Sequence, residues 1–103
     1  MEIYGDDFVK TLWTNDAKLN TYAYFWATHN NNLRSALDAS QHSSELFEHQ
    51  IYYNTLANIY WKMKRYHDAI KYQKEALTLN PNFERAKKEI KQIQKEMFDE
   101  LDI

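Results

Sequence analysis

The chain has 103 residues, a formal charge of −2, one Gly, one Pro and no Cys. That length suits one small domain, and the missing thiols exclude disulfide stapling, thiolate catalysis and Cys-ligated zinc. A hydrophobic content of 44% with 16% aromatic residues supports a packed core, and the scarcity of turn residues favours helices over sheets.

Residues 1–14 read as an N-terminal lead-in. Phe8, Val9, Leu12 and Trp13 would make a short amphipathic turn shielding the next helices; the other reading is an exposed Trp13 that anchors a partner. Asn15-Asp16 supplies a capping side chain and an acid in the first turn of a helix. Leu19, Tyr22, Ala23 and Trp26 follow at the three/four spacing of one helix face. Asn30-Asn31-Asn32 signals a loop and a second cap. The next helix holds Leu33, Ala36, Leu37 and Ser40. Ser43-Ser44 is read as the cap of a long helix over 45–63, with Phe47, Ile51, Leu56, Ile59, Tyr60 and Met63 as apolar positions.

The turn at Lys64-Arg65 lacks a glycine, so a left-handed residue there would cost roughly 1–2 kcal/mol. A partner helix over 66–79 carries Tyr66, Ala69, Ile70, Gln73, Ala76 and Leu77. Asn80-Pro81 reads as N-cap and first helical position of a last helix over 81–98. Its stripe is Phe83, Ala86, Ile90, Ile93 and Met97. Lys87, Lys91 and Lys95 form a positive flank opposite Glu89, Glu96 and Glu100, the pattern of a solvated helix face. Residues 99–103 form an acidic tail, expected to fray.

Tyr53, Leu56, Ala57 and Tyr60, then Ala69, Gln73 and Pro81, resemble the tetratricopeptide repeat, whose 34-residue pattern is W-x2-L-G-x2-Y, A-x3-F and P. Leu56, Tyr60, Ala69 and Pro81 match directly. Tyr53 replaces the Trp, Ala57 the Gly and Gln73 an aromatic ring, for which neighbouring Tyr72 compensates in part. Leu19, Tyr22, Ala23 and Trp26 recur 34 residues earlier, and one residue inserted in the Asn run brings Ala36 under Ala69. The resemblance implies an all-α fold of antiparallel helix-turn-helix repeats with a capping helix. The repeat domain spans 15–98, with repeats at about 16–49 and 50–82 and a closing helix over 81–98.

No catalytic constellation is visible. His29, His42, His49 and His67 fall in no metal motif and read as surface or loop residues; no glycine-rich phosphate loop exists. The chain is therefore read as no enzyme, without cofactor or metal. The near-neutral charge argues against nucleic acid and membrane surfaces as partners, and no apolar run approaches the roughly 20 residues of a membrane span. With no signal segment seen at Glu2, Asp6 and Asp7, a cytoplasmic location is expected.

The resemblance implies a non-catalytic protein–protein interaction module whose first helices line a concave, peptide-binding groove. Projected at the 34-residue offset, the groove residues are Asn20, Tyr24, Asn54, Asn58, Trp61, Lys62, Arg85, Lys88 and Gln92. Amides there would bond a peptide backbone, and Arg85 and Lys88 would favour a carboxylate. Some family members clamp the C-terminal carboxylate of heat-shock chaperones with Lys, Asn and Arg. Asn58 falls on the clamp Asn, but Asn54 stands at the Lys position and Glu89 at an Arg position, so the full clamp is absent. Two alternatives stay open: a self-associating assembly protein, or an accessory helical segment of a larger thioredoxin-like enzyme. The second rests on the runs Leu19–Tyr24, Ala36-Leu37-Asp38 and Asn54-Thr55-Leu56-Ala57.

Overall fold

The computed structural model describes residues 13–30 and 32–101. They form five α-helices with no strand among the described residues. These are α1 (Asp16–Phe25), α2 (Leu33–Leu46), α3 (Gln50–Lys62), α4 (Tyr66–Leu79) and α5 (Glu84–Leu101), with a π-helical turn at Trp26–Asn30. The chain divides between Glu48 and His49 into two compact units. Helices α1 and α2 pack together in the first, and α4 packs on both α3 and α5 in the second. Phe8, Val9 and Leu12 of the expected lead-in lie outside the described residues, as do Asp102 and Ile103 of the tail.

In the first unit Asn15 caps α1 by accepting from the Lys18 N–H at 3.0 Å, and Asn32 caps α2 by accepting from the Ser35 N–H at 3.3 Å. Leu19, Ala23 and Ala36 are wholly buried; the two small side chains let the helix backbones approach. Trp13 lies against α2, its ring stacked on His42 at 4.6 Å while its carbonyl accepts from His42 Nε2 at 2.9 Å. Helix α1 runs into the π turn, which reaches the first residue of the Asn run. There the Thr28 hydroxyl donates to the Tyr24 carbonyl at 2.9 Å, and His29 Nδ1 donates to the Phe25 carbonyl at 3.2 Å.

Ser43 and Ser44 do not start a helix. Both are buried within α2, where Ser43 Oγ donates across to the Asp16 carbonyl at 2.8 Å and Ser44 Oγ back to the Ser40 carbonyl at 3.1 Å. A serine inside a helix can satisfy its hydroxyl in this second way, which is why the pair imitates a cap in the sequence. The break comes at Phe47–His49. Phe47 is extended (φ −159°) and 55% exposed rather than a core position. His49 caps α3 instead, its Nδ1 accepting from the Ile51 N–H at 3.1 Å.

The second unit is built on Leu56, Ala57, Tyr60, Ala69, Ala76, Ala86 and Ile93, all at most 5% exposed. Tyr72 stacks on both Tyr53 and Tyr60, with centroids 6.0 and 5.6 Å away, while Gln73 itself is fully buried. Helix α3 ends with Lys64 at φ 63°. The Arg65 N–H reaches the Tyr60 carbonyl and the Lys64 N–H the Trp61 carbonyl, both at 2.9 Å, the paired bonds of a Schellman ending usually built on glycine.

Pro81 lies in a turn before the last helix and not inside it. The Phe83 N–H returns to the Asn80 carbonyl at 3.0 Å and the Asn82 N–H to Asn80 Oδ1 at 3.1 Å, so α5 begins at Glu84. It continues through Leu101, and Asp99 and Glu100 belong to the helix rather than to a frayed tail.

The left-handed residue gives a direct expectation. Lys64→Gly and Lys64→Ala both lose the contact with Glu100, but only glycine relieves the Cβ conflict, so Lys64→Gly has the higher thermal midpoint of the two by circular dichroism.

Candidate functional site

The most constrained feature of the second unit joins three helices. Gln73, on α4, is 0% exposed, and Asn54, on α3, is 4% exposed. Neither can meet water, so each needs protein partners. Asn54 Nδ2 donates to Gln73 Oε1 at 2.9 Å and to Glu89 Oε1, on α5, at 2.8 Å. Gln73 Nε2 donates to the same Glu89 oxygen at 2.7 Å, and Asn58 Nδ2 does so at 3.0 Å while also donating to the Asn54 carbonyl at 2.8 Å. One carboxylate oxygen thus collects three amide donors. Hydrogen bonds to an ionised acceptor are stronger than neutral ones, and these fix α5 against α3 and α4.

Two shallow hollows flank this network. One, about 360 Å³, is lined by Asn58, Trp61, Lys62, Lys64, Tyr66 and Glu96. The other, about 390 Å³, is lined by Glu84, Arg85, Lys88, Glu89 and Gln92. They adjoin across the Asn58–Glu89 hydrogen bond. In the first, the polar ends of the rings are tied to α5: Trp61 Nε1 donates to Glu96 Oε1 at 2.8 Å and the Tyr66 hydroxyl to Glu100 Oε2 at 2.7 Å. Lys64 Nζ meets the same Glu100 oxygen at 3.2 Å. In the second, Glu84 is paired with Lys87 at 3.3 Å, while Arg85 and Lys88 are exposed and have no acidic partner among the described residues.

The candidate residues of the sequence therefore separate by role. Asn54 is interior, and its amide hydrogens are spent on the network. Asn58 lines the first hollow with both its amide hydrogens engaged. Trp61 and Lys62 line the same hollow; Arg85, Lys88 and Gln92 line the second. Asn20 and Tyr24 belong to α1 of the first unit. Tyr24 is 58% exposed there, whereas Asn20 Oδ1 is buried without a hydrogen-bond partner. Sequence reasoning missed Gln73, Glu96, Tyr66 and Glu100 as parts of this wall. The signal lay in two kinds of departure: Gln73 breaks the repeat pattern, Asn54 and Glu89 break the carboxylate clamp of some family members, and the three are bonded to one another.

The Glu100 contacts have an electrostatic consequence. Its carboxyl is held below its ordinary value of 4.5, first by the Tyr66 hydrogen bond and then by that of Lys64. The same hydrogen bonds to Glu100 raise the Tyr66 phenol and the Lys64 ammonium above their ordinary values.

Residues 51–83 match the family model of the tetratricopeptide repeat. That span takes in α3 from Ile51, α4 and the Asn80–Phe83 turn, so the similarity lies in the second hairpin. Comparison with curated proteins returned no match.

Two outcomes follow. Gln73→Phe restores the family's aromatic position yet destabilises the protein by roughly 1–3 kcal/mol, because it strips partners from buried Asn54 and from Glu89. In urea melts, Gln73→Leu and Glu89→Leu combined lose less than the sum of the single variants, as expected of groups sharing one network. The second outcome concerns pH. A carboxyl lowered by folding contributes stability that is complete above its ordinary value and drains away as pH falls through its folded one. The raised Lys64 and Tyr66 contribute below their ordinary values and lose that contribution as pH rises through their folded ones. Glu100→Gln therefore lowers the thermal midpoint near neutrality, and its difference from wild type closes at both acidic and strongly basic pH.

Proposed function

We propose that this chain is a non-catalytic protein–protein interaction module, whose partner binds the wall formed by α3 and α5 of the second unit. Interaction with proteins is the usual work of the tetratricopeptide repeat that residues 51–83 match, and the wall supplies the means. The observation that carries the reading is a division among its side chains. Acids and amides at its centre are consumed in holding the helices, whereas Lys62, Arg85, Lys88 and Gln92 stand exposed around two adjoining hollows. Such a surface favours an acidic or polar polypeptide over a small apolar ligand. The reading assigns Asn54 the task of support and gives no role to Asn20 or Tyr24.

A second reading is favoured by one observation. Phe98 and Leu101, one turn apart on α5, are 66% and 72% exposed, and an exposed apolar pair of this kind suits self-association.

The test uses Lys62→Gln, Arg85→Gln, Lys88→Gln and Gln92→Ala in one chain, all at exposed positions. This variant keeps its helicity and melting midpoint but loses a defined subset of the proteins captured by wild type. Equal capture by both chains rejects the wall. Sedimentation of the same samples separates the second reading, which requires a mass that rises with concentration and falls back in Phe98→Asp.

A further inference from the structure

The two hairpins correspond residue by residue. Asn15 and His49, which cap α1 and α3, lie 34 residues apart. Asn32 and Arg65 open α2 and α4 and lie 33 apart, as do Phe47 and Asn80, the extended residues that end them. At those offsets Ala23 falls on Ala57, Ala36 on Ala69, Ser40 on Gln73 and Ser43 on Ala76, and all eight are wholly buried. The small residues that let the backbones approach thus hold equivalent places in each unit.

The same correspondence sets Asn20 on Asn54, opposite the Ser40 that falls on Gln73. In the second unit this pair is bonded directly, Asn54 Nδ2 donating to Gln73 Oε1 at 2.9 Å, and both amides reach the Glu89 carboxylate. In the first unit it is not. Asn20 Oδ1 and Ser40 Oγ are shut off from solvent, and neither has a hydrogen-bond partner among the described residues. Buried polar groups are normally answered. Here the two unanswered ones fall on the very pair that the second unit joins.

Side-chain length accounts for the difference. A serine oxygen is one bond from Cβ and a glutamine oxygen three, so the replacement withdraws it by roughly 2 Å at ordinary bond lengths. Added to the 2.9 Å of the second unit, this sets the two polar atoms about 5 Å apart, the separation spanned by one water through two bonds of ~2.8 Å. Water also has the right chemistry. Asn20 Oδ1 only accepts, while the Ser40 hydroxyl donates or accepts, so a molecule able to do both satisfies the two at once. Ser40 is wholly buried and closed to anything much larger. A cation would want more oxygen ligands than this neutral pair supplies.

We infer that one internal water bridges Asn20 Oδ1 and Ser40 Oγ, and that it does for the α1–α2 seam what the Gln73 side chain does between α3 and α4. The two seams then differ in kind. A carboxylate locks the second, whereas the first is neutral and closed by an exchangeable molecule. Asn20 thereby serves the interior of its unit and not a binding face.

The test is a crystal structure of the full chain at a resolution that shows ordered water, paired with urea melts of Asn20→Leu, Ser40→Ala and the double variant. The expected density is one water within hydrogen-bond distance of both atoms in wild type, lost in the double variant. Either single change strands the remaining group and lowers the urea midpoint, and the double variant loses less than the two losses combined. Asn20 bonded directly to Ser40, or the Ser40 hydroxyl turned onto the Ala36 carbonyl one turn back, overturns the inference. So does wild-type density with no water between them, and so do losses that simply add. All of these outcomes leave the interaction reading standing, since neither residue belongs to the wall of the second unit.

Discussion

One carboxylate oxygen holds the second unit in register. Glu89 brings a negative charge from α5 to the edge of a nearly closed interior, where an unpartnered ion would be costly. Amides from α3 and α4 converge on it within 3.0 Å. Because the donors come from two helices and the acceptor from a third, the geometry is met only when all three are correctly docked. Apolar contacts such as those of Ala86 and Ile93 supply the burial but tolerate small slides. The network does not, and in that sense it specifies the packing that the core stabilises.

Specific partners also explain the acidic end of α5. Glu96, Asp99 and Glu100 crowd its last turns, the reverse of what the helix dipole favours there. The dipole contributes about 0.3–1 kcal/mol per charge near a terminus, and specific partners outweigh it. Glu96 accepts from Trp61, and Glu100 accepts from Tyr66 and Lys64. Shifting the α3 pattern by one repeat places Lys87, Lys91 and Gln94 where Tyr53, Ala57 and Tyr60 stand, while Ile90 keeps the apolar character of Leu56. Helix α5 thus retains the apolar stripe that docks on α4 and presents polar side chains where α3 would receive the second helix of its own repeat.

Local chemistry was readable wherever one residue suffices to state it. The caps at Asn15 and Asn32 and the small residues Ala23, Ala57, Ala69 and Ala76 follow from hydrogen-bonding capacity or side-chain size, whereas a turn without glycine at Lys64-Arg65 left open which residue, if either, is left-handed. The failures occur where two answers share one local signature. Ser43-Ser44 can cap a helix or bond inside one, and only the Asp16 carbonyl opposite Ser43 decides. Asn80-Pro81 can open a helix or a turn before it.

The network was hidden for a different reason. Gln73 departs from the repeat pattern, and Asn54 and Glu89 from the carboxylate clamp of some family members, yet each is the condition for the others. An amide at 73 would be costly beneath an apolar residue at 54; with Asn54 and Glu89 beside it, all its polar atoms are answered. This mutual dependence also reaches the surface. The bonds that bury Asn54 and occupy the donors of Asn58 remove from the wall the amide hydrogens that a free pair of asparagines would have presented. Satisfying the interior thereby settles the polarity of the exterior: acceptors and rings at one end, and cations released from their neighbouring acids at the other.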